Sequence, residues 1–444
     1  MNIDFITDKI TSYGNKIAVV TEGKEYSFND ILNEYRKAKQ ILKDNNVKSN
    51  SVISLLADFT PQSIAMFLAL IELDTIIVPI SKTIKNIESY IKVSESEYFI
   101  DEQSEDIQIK NLNRKVTHEM LLNLKEKKAP GLILFSSGTT GEPKAALHNL
   151  TFLLDKFRKD GKRLSTVTFL LFDHIGGFNT MMHTLVNGGL IVTLKTRTAD
   201  EVCSLIEKYK LQLLPTSPTF INLIVLNKTY EKYDLSSLEL ITYGTEPMPE
   251  STLKALHKIL PNAKLKQTYG LSEVGIMPTK SENSESLWLK LRNDETFQTK
   301  IVDDILYIKS KSAMIGYLNA PSPFDEEGWF NTKDKVLVKG DYVKILGRTT
   351  DLINVGGQKV YPIEVESTFL EYPGILDIRV YGADNPIMGK VVEAEVKVAD
   401  ENNNRDFVKQ LRKFAKEKLE SFKIPTKFNL TTKDLYGERF KKKR

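Results

Sequence analysis

The chain of 444 residues has one cysteine, two tryptophans and five histidines. A lone cysteine, Cys203, supplies neither an internal disulfide nor a multi-cysteine metal site. His118, His148, His174, His183 and His257 are scattered and show none of the close spacings that zinc ligands take. Net charge is small as well: 62 Lys plus Arg stand against 58 Asp plus Glu, a formal +4. That excludes a chain-wide field for nucleic acid and leaves room only for local patches. Long apolar runs are also missing. The most apolar stretch, residues 63–80, carries Glu72 and Asp74 in its middle, short of the roughly 18 uninterrupted apolar residues of a membrane span. The opening residues, MNIDFITDKI, lack an apolar core followed by small residues, so no secretory signal is expected. A soluble, cytoplasmic enzyme is the expectation, and 41% hydrophobic residues leave ample material for a real interior.

What is present is an alternation of two periodicities. Short β-branched runs (GLILF, VTFLLF, GLIVTLK, LQLLP, LELITY) are separated by helix-like segments such as TADEVCSLIEKYK and STLKALHKIL. Thr198 with Glu201 three places on reads as a capping box. The first hundred residues repeat the texture, with Ser27 opening a helix and VISLLAD and TIIVPI as strands. Such alternation predicts an α/β fold of parallel sheets covered by helices. After Gly328 the texture changes. An exposed strand GDYVKILGR, a helix opened by Pro362, strands LDIRVYG and KVVEAEVKV and a long amphipathic helix from Arg405 predict a small α+β unit. The expected division is a large domain over residues 1–348 and a small mobile one over 349–444. No fused carrier-protein domain is expected, so any carrier would be a separate chain.

The sharpest chemical signal follows the strand-like LILF: Ser136-Ser137-Gly138-Thr139-Thr140-Gly141-Glu142-Pro143-Lys144. Its glycines and hydroxyls offer many backbone N–H and side-chain O–H donors, and Lys144 adds a point charge. Such a loop suits phosphate oxygens. It is not a Walker loop, because Glu-Pro separates the second glycine from the lysine. Strand-to-helix turns use the same residue types, but not as so long a string.

The string resembles the phosphate-binding loop of the adenylate-forming superfamily, which includes acyl- and aryl-CoA synthetases, luciferases and peptide-synthetase adenylation domains. Further matches follow in family order, from about residue 15 to the C-terminus. Thr245-Glu246-Pro247 resembles the turn near the adenine, and Tyr269-Gly270-Leu271-Ser272-Glu273 the Tyr-Gly-x-Thr-Glu motif. The resemblance implies that Tyr269 stacks by the adenine, Ser272 touches the α-phosphate and Glu273 holds magnesium. Met314–Asn319 resembles a structural turn before the ribose site. Gly328–Asp334 resembles the ribose motif, with Asp334 on both hydroxyls and Lys333 replacing a family glycine. Gly347–Gly357 resembles the hinge motif, with Arg348 on the ribose and Thr350 where Asp or Lys is usual. Gly244 and Gly270 are expected in the substrate pocket with His174.

Two places leave alternatives open. Family members usually end in Gly-Lys, whose lysine crosses to the active site during adenylation. Here Gly437 is followed by Glu438 and Arg439, then Phe440 and Lys441–Lys443. Arg439 is favoured, because glutamate would repel anionic substrates, with Lys441 to Lys443 as further candidates and a plain basic tail as the bland reading. In Phe172-Asp173-His174, His174 in the gating place favours a simple carboxylic acid, whereas Phe172-Asp173 favours an amino acid. Cys203 reads as core and His148 as a helix-start residue.

The resemblance implies ATP, Mg2+ and CoA (or a carrier protein's phosphopantetheine) as cofactors, a small carboxylic acid as substrate and acyl-AMP as intermediate. The expected enzyme is an AMP-forming acid–thiol ligase. Alternatives are amino-acid adenylation for a separate carrier protein, and a degenerate member that binds nucleotide or acyl ligand with little turnover.

Overall fold

The computed structural model describes residues 1, 3–102, 107–136, 143–400, 404–437 and 440–442. Two seven-stranded sheets dominate the first part. In one, the strands Lys264–Gln267, Leu240–Tyr243, Leu213–Thr216, Thr166–Val167, Ile191–Val192 and Ile17–Thr21 run parallel, and Lys24–Ser27 closes the edge as a hairpin. In the other, Ile76–Ile80 lies between Gly131–Ser136 and Val52–Leu56. All three strands are buried along nearly their whole length, as strands covered on both faces must be.

The period of two distributes neighbouring residues to different cores. Val19, Ile191, Ile53 and Ile77 share one core with the helices Pro61–Glu72 and Ile175–Val186. Val20 and Val192 face a second, built with the helix Ala199–Tyr209, and Val52, Ile76 and Val78 face another. A six-stranded antiparallel sheet over residues 279–348 follows, and then a five-stranded sheet over 353–431 with a core of its own. The α/β class and the large-plus-small arrangement are as expected. Among the described residues no helix is long and apolar enough to cross a membrane.

Local capping matches the sequence in part. Ser27 and Asp30 form a full capping box for Phe28–Asp44. Thr198 accepts from Glu201 N, but the Glu201 carboxylate turns outward to the backbone N–H groups of Lys195 and Thr196. The larger departure is at the phosphate-loop string. The chain returns from it as a strand, with Gly131–Ser136 pairing antiparallel to Lys144–Asn149 from Gly131↔Asn149 to Ser136↔Lys144. His148 therefore sits fully buried in a strand rather than opening a helix, and Asn149 caps the helix instead. Residues 144–149 also pair with Gly316–Tyr317, so tertiary pairing on both sides overrides the helix preference of Ala145-Ala146-Leu147.

The helix Ile175–Val186 lies hard against the preceding segment: a Cβ on Gly177 would stand 1.9 Å from Leu171 O. Gly177→Ala should therefore destabilise the protein by about 1–3 kcal/mol, read as a lowered Tm in a thermal melt.

Candidate functional site

The hairpin that carries the loop fixes the first part of the site. Ser136 and Lys144 oppose each other at its open end, so the loop springs from between them. Lys144 Nζ lies 5.2 Å from the centre of the Tyr317 ring, and the Tyr317 hydroxyl donates to the Glu273 carboxylate. Burial, then Glu273, pushes the Tyr317 hydroxyl well above its ordinary range. Ser272 and Glu273 occupy the turn between the paired strands Tyr269–Leu271 and Gly275–Met277. Beneath that turn lies His148, whose ring faces the backbone of Ser272 and Ser312 and which burial pulls down to about 4. It is a neutral packing group at neutral pH.

A second cluster joins Tyr269, Asp334 and Arg348. Asp334 and Arg348 are cross-strand partners with Nε 3.7 Å from Oδ1, and the Tyr269 hydroxyl donates to Oδ2. Burial raises the Asp334 carboxyl above the usual carboxylate range, with Tyr269 and Arg348 pulling it back. Lys333, in place of the family glycine, adopts φ 60°, the left-handed turn the glycine would serve.

Beyond strand Leu240–Tyr243 comes the Gly244-Thr245-Glu246-Pro247 turn. A Cβ at Gly244 would lie 2.6 Å from Thr268 Oγ1 and 2.8 Å from Thr268 O, so only glycine lets the two chains approach. Thr245 stands at φ 73°, strained for a β-branched residue, and is exposed. Glu246 turns inward instead. Its carboxylate accepts from Thr219 N (2.8 Å) and Lys442 N (3.2 Å), and burial holds it above the ordinary range.

The C-terminal tail enters the same region. Phe440 packs against Phe169 and Phe220, and its carbonyl accepts from Ser217 Oγ at 2.8 Å. Lys441 then lines a small cavity with His174, Arg197, Ser217 and Thr245. Lys442 Nζ is buried against Asp377 (3.2 Å), Glu366 (3.4 Å) and the Ile378 carbonyl (2.6 Å), fastening the tail to the small unit. His174 caps the helix Ile175–Val186 through Nδ1, which accepts from Gly176 N. Asp173 is buried and accepts from Ser81 Oγ, while Phe172 packs on Phe59 and Phe67.

A larger cavity of about 390 Å3 opens beside Gly244, Thr245 and Gly270. It runs along the face of the strands Leu213–Thr216 and Leu240–Tyr243, with Gly244, Thr245 and Thr268 just past the carboxyl ends, the position at which open α/β sheets bind ligands.

Most of the expected site residues thus converge. Ser136, Lys144, Ser272 and Glu273 hold one side, Tyr269, Asp334 and Arg348 another, and Gly244, Thr245, Gly270 and His174 face the cavities. Glu246 and the adjoining Pro247 line a narrow cleft with Lys442. Thr350 is exposed in the turn Thr349–Asp351, which directly follows Arg348. Ser137, Gly138, Thr139, Thr140, Gly141 and Arg439 lie outside the described residues. Tyr317 and Arg197 escaped the sequence reading: the first sat in a string read only as a turn, and no sequence signal marks the second. Cys203 is core as expected, with burial pushing its thiol up to about 11. Among the described residues no three His, Cys, Asp or Glu side chains gather as a metal cage.

Comparison with known proteins gives the family and the fold. The model for AMP-binding enzymes matches residues 6–292, and that for the AMP-binding enzyme C-terminal domain matches residues 364–439. The chain is 29% identical over 294 residues to 4-coumarate-CoA ligase 1 of Narcissus pseudonarcissus, covering 58% of this chain and 53% of that one. It is 28% identical over 296 residues to indoleacetate–CoA ligase of Aromatoleum aromaticum, covering 60% and 57%. The chain spans about half the length of the curated relatives it matches. Among solved structures, an anthranilate CoA ligase in complex with anthranoyl-AMP superposes with a TM-score of 0.79 at 20% identity, over 98% of this chain and 95% of the other. An amide bond synthetase of Marinactinospora thermotolerans reaches 0.78 at 18%, over 98% and 96%. With the matched models spanning most of its length, the chain belongs to the AMP-binding enzyme family.

Proposed function

We propose that this protein joins a carboxylic acid to AMP and passes the acyl group to a pantetheine thiol. The observation that carries the reading is the convergence of Lys144, Glu273 and the Tyr269–Asp334–Arg348 cluster beside a cavity at the strand ends. A carboxylate oxygen attacks the α-phosphorus of ATP, a P–O bond forms, and pyrophosphate leaves with the electron pair. Both partners are anions, so the barrier falls through charge neutralisation and positioning more than through acid–base catalysis. Lys144 and the loop donors hold the β- and γ-phosphates, and Asp334 with Arg348 fixes the ribose. Glu273 fits magnesium carried on the nucleotide, since that ion takes one or two carboxylates together with phosphate oxygens and water. When bound it screens the phosphate charge. In the second half-reaction the thiol sulfur attacks the acyl carbon, AMP leaves, and the thiol proton passes to solvent.

The acceptor is CoA or a separate carrier protein. Residues 349–444 form the moving unit in this reading, with Thr350 at the hinge. His174 faces the small cavity it shares with Lys441 while the Asp173 carboxylate is turned inward to Ser81, which favours a simple acid over an amino acid. Lys441 reaches the cavity shared by His174 and Thr245, so it joins Arg439 as the tail cation of adenylation, and its ammonium suits that task.

Carboxylate-dependent ATP–pyrophosphate exchange tests the whole reading. Lys144→Ala and Asp334→Ala should each lose about 100-fold or more; no exchange with any acid despite ATP binding would instead favour a binding-only member. Lys441→Ala should impair adenylation more than Arg439→Ala does, and both should spare thioester formation from supplied acyl-AMP. Asp334 carries a stability signature as well. Its folded-state pKa is raised by burial, so the ionised form is penalised, and the penalty is absent below the usual carboxylate range and complete above the folded pKa. Asp334→Asn should therefore melt higher than the wild type at neutral pH, and the gap should close as pH falls to about 4.

A further inference from the structure

The larger cavity has a cationic end, whose wall also carries Leu164, Leu213 and Leu240. On one side the helix Ile175–Val186 presents Gly176, Asn179, Thr180 and His183, one face at helical spacing. On the other, register places Pro215, Thr242 and Lys266 side by side across three parallel strands. Gly244 and Thr268, two residues further along their chains, line the mouth. His183 lies two helical turns, about 10 Å, beyond Gly176.

At that depth the cavity wall carries Lys156 as well as Lys266. Among the described residues neither ammonium pairs with a carboxylate; the neighbour of Lys156 Nζ is the Phe157 ring, 5.1 Å from its centre. Lys156 is exposed as a residue, although the protein near its ammonium pulls it down to about 8. Burial lowers Lys266, and the charge of Lys264 adds to the effect. His183 is lowered by burial and then by these two ammoniums, so all three share one end of the cavity. The imidazole itself is engaged, with Nε2 3.2 Å from Lys162 O and Nδ1 facing Asn187 Nδ2 at 3.5 Å.

Two ammoniums lining one space favour an anion placed between them, which pairs with both. An apolar acyl chain would shield Lys266 further without compensation. An amino acid's ammonium would add a third like charge. The geometry points to a substrate acid that carries a second anionic group at its far end, bound by Lys156 and Lys266 while the near carboxylate meets ATP at the mouth. This rests on the adenylation reading above and specifies its substrate class.

Matched acids test it in the exchange assay: adipate against hexanoate, and 4-carboxyphenylacetate against 4-methylphenylacetate. The diacid of each pair should have a kcat/KM about tenfold higher, expressed mainly in KM. Lys266→Met and Lys156→Met should each lower that ratio about tenfold, and Lys266→Arg should retain it. Preference for the methyl-ended acids, or a ratio unchanged in both methionine variants, would overturn the inference and leave the adenylation reading standing. Calorimetric titration with the diacid alone separates the two claims. Diacid binding that Lys266→Met weakens, with no exchange on any acid, keeps the distal-anion site and rejects the activity; no diacid binding and no exchange rejects both.

Discussion

The site depends on one piece of strand pairing. Lys144–Asn149 is held from two sides, by Gly131–Ser136 in full antiparallel register and by Gly316–Tyr317 at Ala146↔Tyr317. The first contact brings Ser136 and Lys144 together at the ends of the loop. The second brings Tyr317 beside Lys144 and within reach of Glu273. A lysine on a free loop would lose side-chain and backbone entropy on gripping a phosphate. Here much of that ordering has been done by the sheet.

The burial of Asp334 obeys the same logic. A carboxylate shielded from water costs folding free energy, yet Tyr269 and Arg348 fix its orientation, so in the proposed role it would need little reorganisation to meet a hydroxyl pair. Thr245 at φ 73° is a parallel case in the backbone. Both departures from local preference sit where ligand chemistry is proposed, which is where such departures are expected to collect.

Much of this was legible in the sequence, because the motifs are contiguous strings whose order along the chain follows the sheet topology. The run Tyr269–Glu273 could be read as one string, and it forms a strand leading into a turn. What was not legible depends on packing between distant segments. Nothing in KAALHN announces a strand, since the decision is made by partners on both sides. Tyr317 looked like part of a turn because its role requires Glu273, 44 residues away, to accept its hydroxyl. The cationic cavity end was equally hidden: Lys156 and Lys266 are ordinary surface-type residues in sequence, and only the fold turns both toward one space.

The knot around Lys442 has a consequence for movement. Its ammonium is bound to Glu366 and Asp377 of the small unit, whereas its backbone N–H and the Phe440 carbonyl are held by Glu246 and Ser217 of the large one. If the small unit swings away, the ionic attachments can travel with it and only the main-chain bonds and the seat of Phe440 need be released. The tail then behaves as a plug carried on a moving wall. Were it withdrawn, the cleft lined by Phe169 and Phe220 would be uncovered in the same motion that removes Lys441, so that in the proposed reading evacuating the cation and opening a passage would be one mechanical event.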